Sequence, residues 1–221
     1  MSILTPRNAA TATALTGPAP LHPGDRVKRV CVFCGSALGR RAVYADAARA
    51  MAAALLDRGL GLVYGGGSVG LMGALADAVL AGGGEVIGVL PKGLARKELA
   101  HRGLTELHLV ASMHERKALM ASLADGFVAL PGGLGTLEEM FEILTWAQLG
   151  IHQKPVGVLD VDGYWTGLLG LLRHAAEEGF VRPEYATLLL VESRADALLE
   201  RFAAWRPPAA APPIWLDATE T

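Results

Sequence analysis

Two pairs of charged residues have the chemistry that hydrolysis of a phosphorylated substrate requires. The pairs are Arg116-Lys117 and Glu138-Glu139. A carboxylate can orient or deprotonate water, or stabilise a sugar that becomes cationic as its glycosidic bond breaks. An arginine beside it can hold a phosphate or neutralise a leaving group. These side chains suit cleavage of an N-glycosidic bond, and their spacing is compatible with that chemistry without establishing it.

Glu138 and Glu139 follow a glycine-rich stretch, Pro131-Gly132-Gly133-Leu134-Gly135-Thr136-Leu137. The backbone N–H groups of 132–136, the Thr136 hydroxyl and the dipole of the following helix predict a cradle for phosphate oxygens. It is not a Walker loop, because no Gly-Lys-Ser/Thr follows. Thr136 and Glu139 also have the spacing of a capping box, in which Glu139 would bond the first N–H groups of its own helix.

A second glycine-rich stretch, 63–73, has the spacing Gly65-x-Gly67-x-x-Gly70 of a dinucleotide-binding loop, and includes Gly66. That fingerprint also requires an acidic residue at the end of the next strand. Glu85 begins that strand instead, so a dinucleotide-dependent oxidoreductase is disfavoured. A tight turn is the simplest alternative for this stretch alone, but two such loops together predict a nucleotide-sized phosphorylated ligand.

Arg116 and Lys117 belong to the segment Ser112-Met113-His114-Glu115-Arg116-Lys117. Ser112 and Glu115 have capping-box spacing, which predicts that a helix starts here. Two cations in its first turn oppose the helix dipole at a cost of a few tenths of a kcal/mol each. A bound phosphate or a carboxylate partner would offset this cost; the alternative is two solvated side chains.

Short apolar runs alternate with longer Ala/Leu-rich stretches along the chain and position these residues. The runs predict strands over 29–33, 60–64, 85–90, 107–110, 126–130, 155–159 and 188–191. The longer stretches predict helices over 41–58, 69–81, 113–124, 137–149, 164–178 and 195–205. Continuous apolar strands are typical of a parallel sheet covered on both faces. We therefore predict an α/β fold, a doubly wound parallel sheet of about seven strands that binds ligands at its carboxyl edge.

Composition limits the organisation and the partners of the chain. Its 221 residues, 52% hydrophobic and 19% charged, predict one domain over 29–205 with a flexible N-terminal tail over 1–28 and a Pro/Ala-rich tail over 206–221. A net charge of −2 and the lack of a long apolar run argue against nucleic-acid and membrane partners. Cys31 and Cys34 predict core packing and a cytoplasmic, reducing location. The six histidines lack the spacing of metal ligands.

Four segments together resemble a known family. They are Phe33-Cys34-Gly35-Ser36, Tyr64-Gly65-Gly66-Gly67-Ser68-Val69-Gly70-Leu71-Met72-Gly73, Met113-His114-Glu115-Arg116-Lys117 and Pro131-Gly132-Gly133-Leu134-Gly135-Thr136-Leu137-Glu138-Glu139. In this order they are similar to the LONELY GUY family of cytokinin riboside 5′-monophosphate phosphoribohydrolases, long mislabelled as lysine decarboxylases. The resemblance runs from about Arg29 to Leu199.

The resemblance implies a Rossmann-like fold, a homodimer or higher homo-oligomer, and hydrolysis of a nucleoside 5′-monophosphate to free base and ribose 5-phosphate. It also implies that no metal or redox cofactor takes part. Arg116 and Glu139 then correspond to the catalytic pair. The implied substrate contacts are Ser36, Gly65, Gly66, Gly67, Glu98, Lys117, Gly132, Gly133, Leu134, Gly135, Thr136, Leu137, Glu138 and Thr145.

Two questions stay open at the level of sequence. A non-catalytic nucleotide-binding or carrier module could keep both glycine loops, although it would need neither Arg116 nor Glu139. The base, plain adenine or N6-prenylated adenine, is also undetermined, because the walls of its pocket leave no readable pattern. The decarboxylase label disagrees with the chemistry, since no lysine lies in a setting typical of a pyridoxal phosphate Schiff base.

Overall fold

A single parallel sheet organises the part of the chain that the computed structural model describes, residues 27–95 and 100–207. Within these residues the strands are β1 (Arg29–Phe33), β2 (Gly61–Tyr64), β3 (Val86–Pro91), β4 (Glu106–Val110), β5 (Gly126–Ala129), β6 (Val156–Leu159) and β7 (Leu189–Glu192). They pair in parallel in the order β4-β3-β2-β1-β5-β6-β7. The chain runs outward from β1 to β4 and returns to β5, so the ends of β1 and β5 form a topological switch point. This confirms the predicted doubly wound sheet.

Helices cover both faces of the sheet because side chains alternate along each strand. They are α1 (Ala42–Asp57), α2 (Gly70–Ala81), α3 (Lys92–Ala95), α4 (Met113–Leu123), α5 (Leu134–Gln148), α6 (Thr166–Glu177), α7 (Pro183–Ala186) and α8 (Ala195–Ala203). On β1, Val30 and Val32 pack under α1, α2 and α8, whereas Cys31 and Phe33 face α4 and α5. Cys34 packs on the opposite face from Cys31, and both are buried free thiols, as predicted for core residues.

Three predictions of local structure were incomplete or wrong. The four-residue helices α3 and α7 were not predicted, because so short a segment leaves no apolar repeat to recognise. Helix α5 begins at Leu134 rather than 137. The other boundaries agree within two residues. The predicted tails, 1–28 and 206–221, lie outside the described residues except for 27–28 and 206–207.

Backbone contacts join the loops that follow β1, β2 and β5. The Gly35 N–H donates to the Pro131 carbonyl at 3.1 Å, and the Leu71 N–H donates to the Gly35 carbonyl at 3.0 Å. Gly70, at φ +63°, lies so close to the first loop that a Cβ atom there would be 2.3 Å from the carbonyl carbon of Ser36. Backbone contacts therefore connect the three loops that form the predicted ligand-binding edge of the sheet.

We expect Gly70→Ala to lower the free energy of unfolding much more than Gly83→Ala does. Both glycines have positive φ, which costs a non-glycine residue about 1 kcal/mol. A Cβ atom at Gly83 meets nothing within 4 Å, whereas at Gly70 it collides with backbone. Urea unfolding should show a loss of about 1 kcal/mol for the Gly83 variant and about 1–3 kcal/mol more for the Gly70 variant. Equal losses would contradict the close contact between the two loops.

Candidate active site

The first turn of α4 is fixed by the predicted capping box. Ser112 is the N-cap, and its Oγ accepts a hydrogen bond from the Glu115 N–H at 3.1 Å. The Glu115 carboxylate accepts at 2.7 Å from the N–H of Ala111, one residue before the N-cap. This capping orients the start of the helix, so that Arg116 and Lys117 leave α4 toward the carboxyl edge of the sheet.

The Arg116 guanidinium connects β3 and the residue after β2 to α5. Its Nε donates to the carbonyl of Val89 at 3.1 Å, and Nη2 makes a longer contact of 3.5 Å with the carbonyl of Gly65. Its Nη1 forms a salt bridge with Glu139 Oε1 at 3.1 Å, and the two side chains are only 11% and 10% exposed. A Cβ atom at Gly65 would lie 2.2 Å from Nη2. Residue 65 must therefore be glycine for the arginine to hold this position.

Burial dominates the electrostatics of Glu139. It raises the pKa of the carboxyl to about 7, although the Arg116 cation acts in the opposite direction. The carboxylates of Glu138 and Glu142 raise the pKa further. A carboxyl that titrates near neutral pH is suited to proton transfer and to stabilising a developing cation.

Lys117 is held by two other carboxylates of α5. Its Nζ contacts the Glu138 carboxylate and lies 3.0 Å from Glu142 Oε1. Burial lowers the pKa of Lys117, but the hydrogen bonds that its ammonium donates to Glu138 and Glu142 outweigh this effect and raise the pKa overall. Of the alternatives that the sequence left open for these two cations, the structure shows carboxylate partners. Glu142 was missed in the sequence, although its i+4 spacing from Glu138 placed it on the same helix face.

The predicted Thr136–Glu139 capping box is wrong. Gly133 is the N-cap of α5 and supplies no side-chain cap. Thr136 therefore lies within the first turn and is buried, and a Cβ atom at Gly132 would be 2.1 Å from Thr136 Oγ1. Glu139 is free of any capping role and turns toward Arg116 instead. Gly133 and Gly135 are exposed, and a Cβ atom at either would meet nothing within 4 Å, so this loop is open to a ligand.

The other residues predicted to contact the substrate differ in their exposure to solvent. Ser36 is exposed in the loop after β1, whereas Gly66 and Gly67 are buried beneath the site. Leu134 is 85% exposed, and Leu137 is partly buried against the core under α5. Thr145 is exposed, and its hydroxyl donates to the Phe141 carbonyl at 2.8 Å. Glu98 lies outside the described residues.

The acidic residue nearest in sequence to the position that a dinucleotide site would need forms an ion pair far from the site. Glu85 forms a two-point ion pair with Arg29, with distances of 2.7 and 2.9 Å, at the amino end of the sheet. Over 27–95 and 100–207, no cluster of three or more His, Cys, Asp or Glu side chains is placed to hold a metal ion. Nor does any helix in those two ranges have the length and apolar character that crossing a membrane requires.

Comparisons of the sequence identify a family model and relatives that match most of the chain. A family model described as "Possible lysine decarboxylase" matches residues 72–202. The cytokinin riboside 5′-monophosphate phosphoribohydrolase LOG5 of Arabidopsis thaliana is 50% identical over 183 residues, which cover 83% of this chain and 80% of the relative. The cytokinin riboside 5′-monophosphate phosphoribohydrolase LOG of Oryza sativa subsp. japonica is 47% identical over 193 residues, covering 87% and 80%.

Solved structures share the fold at lower identity. The molybdenum cofactor carrier protein of Chlamydomonas reinhardtii aligns with a TM-score of 0.61 and 19% identity, covering 81% of this chain and 100% of its own. The molybdenum cofactor binding protein of Rippkaea orientalis aligns with a TM-score of 0.59 and 21% identity, covering 79% and 94%. At these identities the likeness shows the fold alone.

We expect the Glu139 carboxyl to titrate near pH 7, and Arg116→Gln to move its pKa higher. The variant removes the cation that opposes the effect of burial. Carbon-13 NMR of the glutamate side-chain carboxyl carbons across pH 4–9 measures both values. The Glu139→Gln variant assigns the signal, because the neutral-range titration must vanish. A Glu139 pKa below 5, or a downward shift in the Arg116 variant, would contradict this account.

Proposed function

The chain belongs to the LONELY GUY family of cytokinin riboside 5′-monophosphate phosphoribohydrolases, and we propose that it hydrolyses an adenosine 5′-monophosphate, N6-prenylated in its preferred substrate. The products are the free base and ribose 5-phosphate. The observation that carries this proposal is the buried Arg116–Glu139 pair, joined at 3.1 Å beside the open glycine loop of α5. Relatives at about 50% identity carry the name of the same activity.

The reaction breaks the bond between ribose C1′ and the base, whose nitrogen keeps the electron pair. Water supplies a hydroxyl group to C1′ and a proton to the base. In our mechanism the ionised Glu139 stabilises the ribosyl cation and directs the water. Arg116 holds this carboxylate in position and contacts the sugar hydroxyls. Because the pKa of Glu139 is about 7, kcat/KM should rise with pH through the neutral range.

The 5′-phosphate lies, in this proposal, on the exposed start of α5. Backbone N–H groups at a helix N-terminus favour an anion, and Gly133 and Gly135 leave space for one. Glu138, which follows this loop on α5, is paired with Lys117. The other proposed contacts are those expected from the resemblance, namely Ser36, Gly65, Gly66, Gly67, Glu98, Gly132, Leu134, Thr136, Leu137 and Thr145.

Lys117 and Lys154 do not support the lysine decarboxylase activity that the description of the matching family model names. A Schiff-base lysine needs a free amine. Lys117 contacts two carboxylates. Lys154 is buried and donates to the carbonyls of Ala121 and Ala124 at 2.8 and 2.6 Å.

We further propose that the protein is a homodimer that covers the outer surface of α6. This helix contains four leucines but no buried residue. Leu171 is 61% exposed and Phe180, just beyond the helix, is 87% exposed. Light scattering should therefore give about twice the chain mass of 23.1 kDa, and Leu171→Glu should reduce it to one copy. A wild-type mass of one chain would contradict this assembly.

The location that fits this assignment is the cytoplasm. Cys31 and Cys34 are buried free thiols, and burial raises the pKa of both. Thiols kept protonated in a core are stable in a reducing compartment and contribute packing rather than cross-links. We therefore expect full activity in the presence of thiol reductants.

The direct test is chromatographic detection of free base from AMP and from N6-isopentenyl-AMP, with each riboside as a phosphate-free control. We expect base release from the monophosphates only, because in this proposal the substrate binds through its phosphate at the glycine loop. The ratio of the two rates identifies the base. Absence of release from every substrate, with AMP still bound, would favour a nucleotide carrier on the same fold.

The matched variants are Glu139→Gln and Glu138→Gln. The first should lose at least about 100-fold in kcat while AMP still binds, since it removes the charge that stabilises the ribosyl cation. The second changes the exposed partner of Lys117 and should retain more activity. Wild-type turnover in Glu139→Gln would refute this assignment, with Glu138 as the alternative.

A further inference from the structure

The loop between β6 and α6 folds back over the end of β5. Asp162 and Gly163 both have left-handed backbone conformations, with φ of 54° and 75°. Trp165, 1% exposed, anchors the loop from below: its N–H donates to Asp160 Oδ1 at 2.9 Å and its indole Nε1 donates to the Leu159 carbonyl at 3.1 Å. Outside glycine the left-handed region is adopted mainly by Asn and Asp, so Asp162 followed by Gly163 suits this turn, and the contacts of Trp165 hold it in place.

The turn places Tyr164 against the glycine loop that precedes α5. Its hydroxyl donates to the carbonyl of Gly132 at 2.5 Å. Its ring is 41% exposed and packs edge-on against Tyr44 of α1 at 5.7 Å and Trp165 at 5.0 Å. Contacts from two directions restrict the ring, so the hydroxyl has a defined position above the switch point.

This hydrogen bond restricts the orientation of one peptide in the glycine loop. The peptide between Gly132 and Gly133 has glycine on both sides, and glycine restricts its neighbouring dihedrals least. In a trans peptide the C=O and N–H point in opposite directions. Holding the Gly132 carbonyl on Tyr164 therefore directs the Gly133 N–H away from Tyr164. Gly133 is the N-cap of α5, so its N–H stands among the donors at the start of that helix.

We propose that Tyr164 is a positioning residue that orients the Gly132–Gly133 peptide for binding of the substrate phosphate. The proposal rests on the proposed function only in taking the anion to be the 5′-phosphate of a nucleotide. Tyr164 acts through the glycine loop and makes no contact with the reacting C1′ atom. Its removal should therefore weaken phosphate recognition and leave the chemical step intact.

The test compares AMP and adenosine binding to the wild type and to Tyr164→Phe by calorimetry or competition. Loss of one hydrogen bond should weaken AMP binding about three- to tenfold, with adenosine affinity unchanged. In the hydrolysis assay KM for the monophosphate should rise by the same factor, with kcat within about twofold. The dependence of kcat/KM on pH should keep its midpoint, because Arg116 and Glu139 are untouched.

Tyr185→Phe is the matched control, since it removes a tyrosine hydroxyl from α7, before the amino end of β7. It should change neither ligand's affinity. Equal weakening of AMP and adenosine in Tyr164→Phe, unchanged AMP affinity, or a fall in kcat without a rise in KM would overturn the proposal. The binding arm needs no turnover, so it decides the role of Tyr164 even where the wild type releases no base.

Discussion

Burial of one guanidinium sets the architecture of the site. Arg116 is 11% exposed, and a charge withdrawn from water must be compensated by polar partners. Two of these partners are the backbone carbonyls of Gly65, just after β2, and Val89, within β3, and the third is Glu139 on α5. The arginine therefore requires neighbouring parallel strands that present these carbonyls, a glycine at 65, and a helix that brings a carboxylate from the other side of the switch point. Moving any one of them leaves a buried charge without its partner.

The carboxylates are divided between the two cations in a way that keeps the pKa of one carboxyl, that of Glu139, near neutral pH. Adjacent residues on a helix point about 100° apart, so Glu138 and Glu139 cannot face the same cation. Glu138 joins Glu142 on Lys117, which leaves Arg116 as the partner of Glu139. The two nearby cations, Arg116 and Lys117, do not offset the burial of Glu139 together with the repulsion of Glu138 and Glu142. The pKa of the carboxyl consequently lies near the pH at which the reaction would run.

Sequence reasoning succeeded where the interactions are local or periodic. The alternating apolar runs predicted the sheet, and Ser112 with Glu115 predicted the start of α4. It failed at α5, because Thr136 and Glu139 fit a capping box while Gly133 actually ends the loop, and a glycine cap leaves no side-chain signature. The contact of Tyr164 with Gly132 joins residues 32 positions apart through a turn at Asp162, so no local pattern could reveal it.

The fold alone does not distinguish a hydrolase from a carrier, since the molybdenum cofactor carrier aligns over most of this chain at 19% identity. A phosphate cradle needs only backbone N–H groups and glycines, which binding and catalysis use alike. The Arg116–Glu139 pair is different. Apolar residues of similar volume often stabilise a core as well as a buried ion pair does or better, so stability alone gives little reason to bury one here. A buried cation paired with a carboxyl of near-neutral pKa is costly for folding, and it is useful for breaking a glycosidic bond in a substrate held on the proposed phosphate loop.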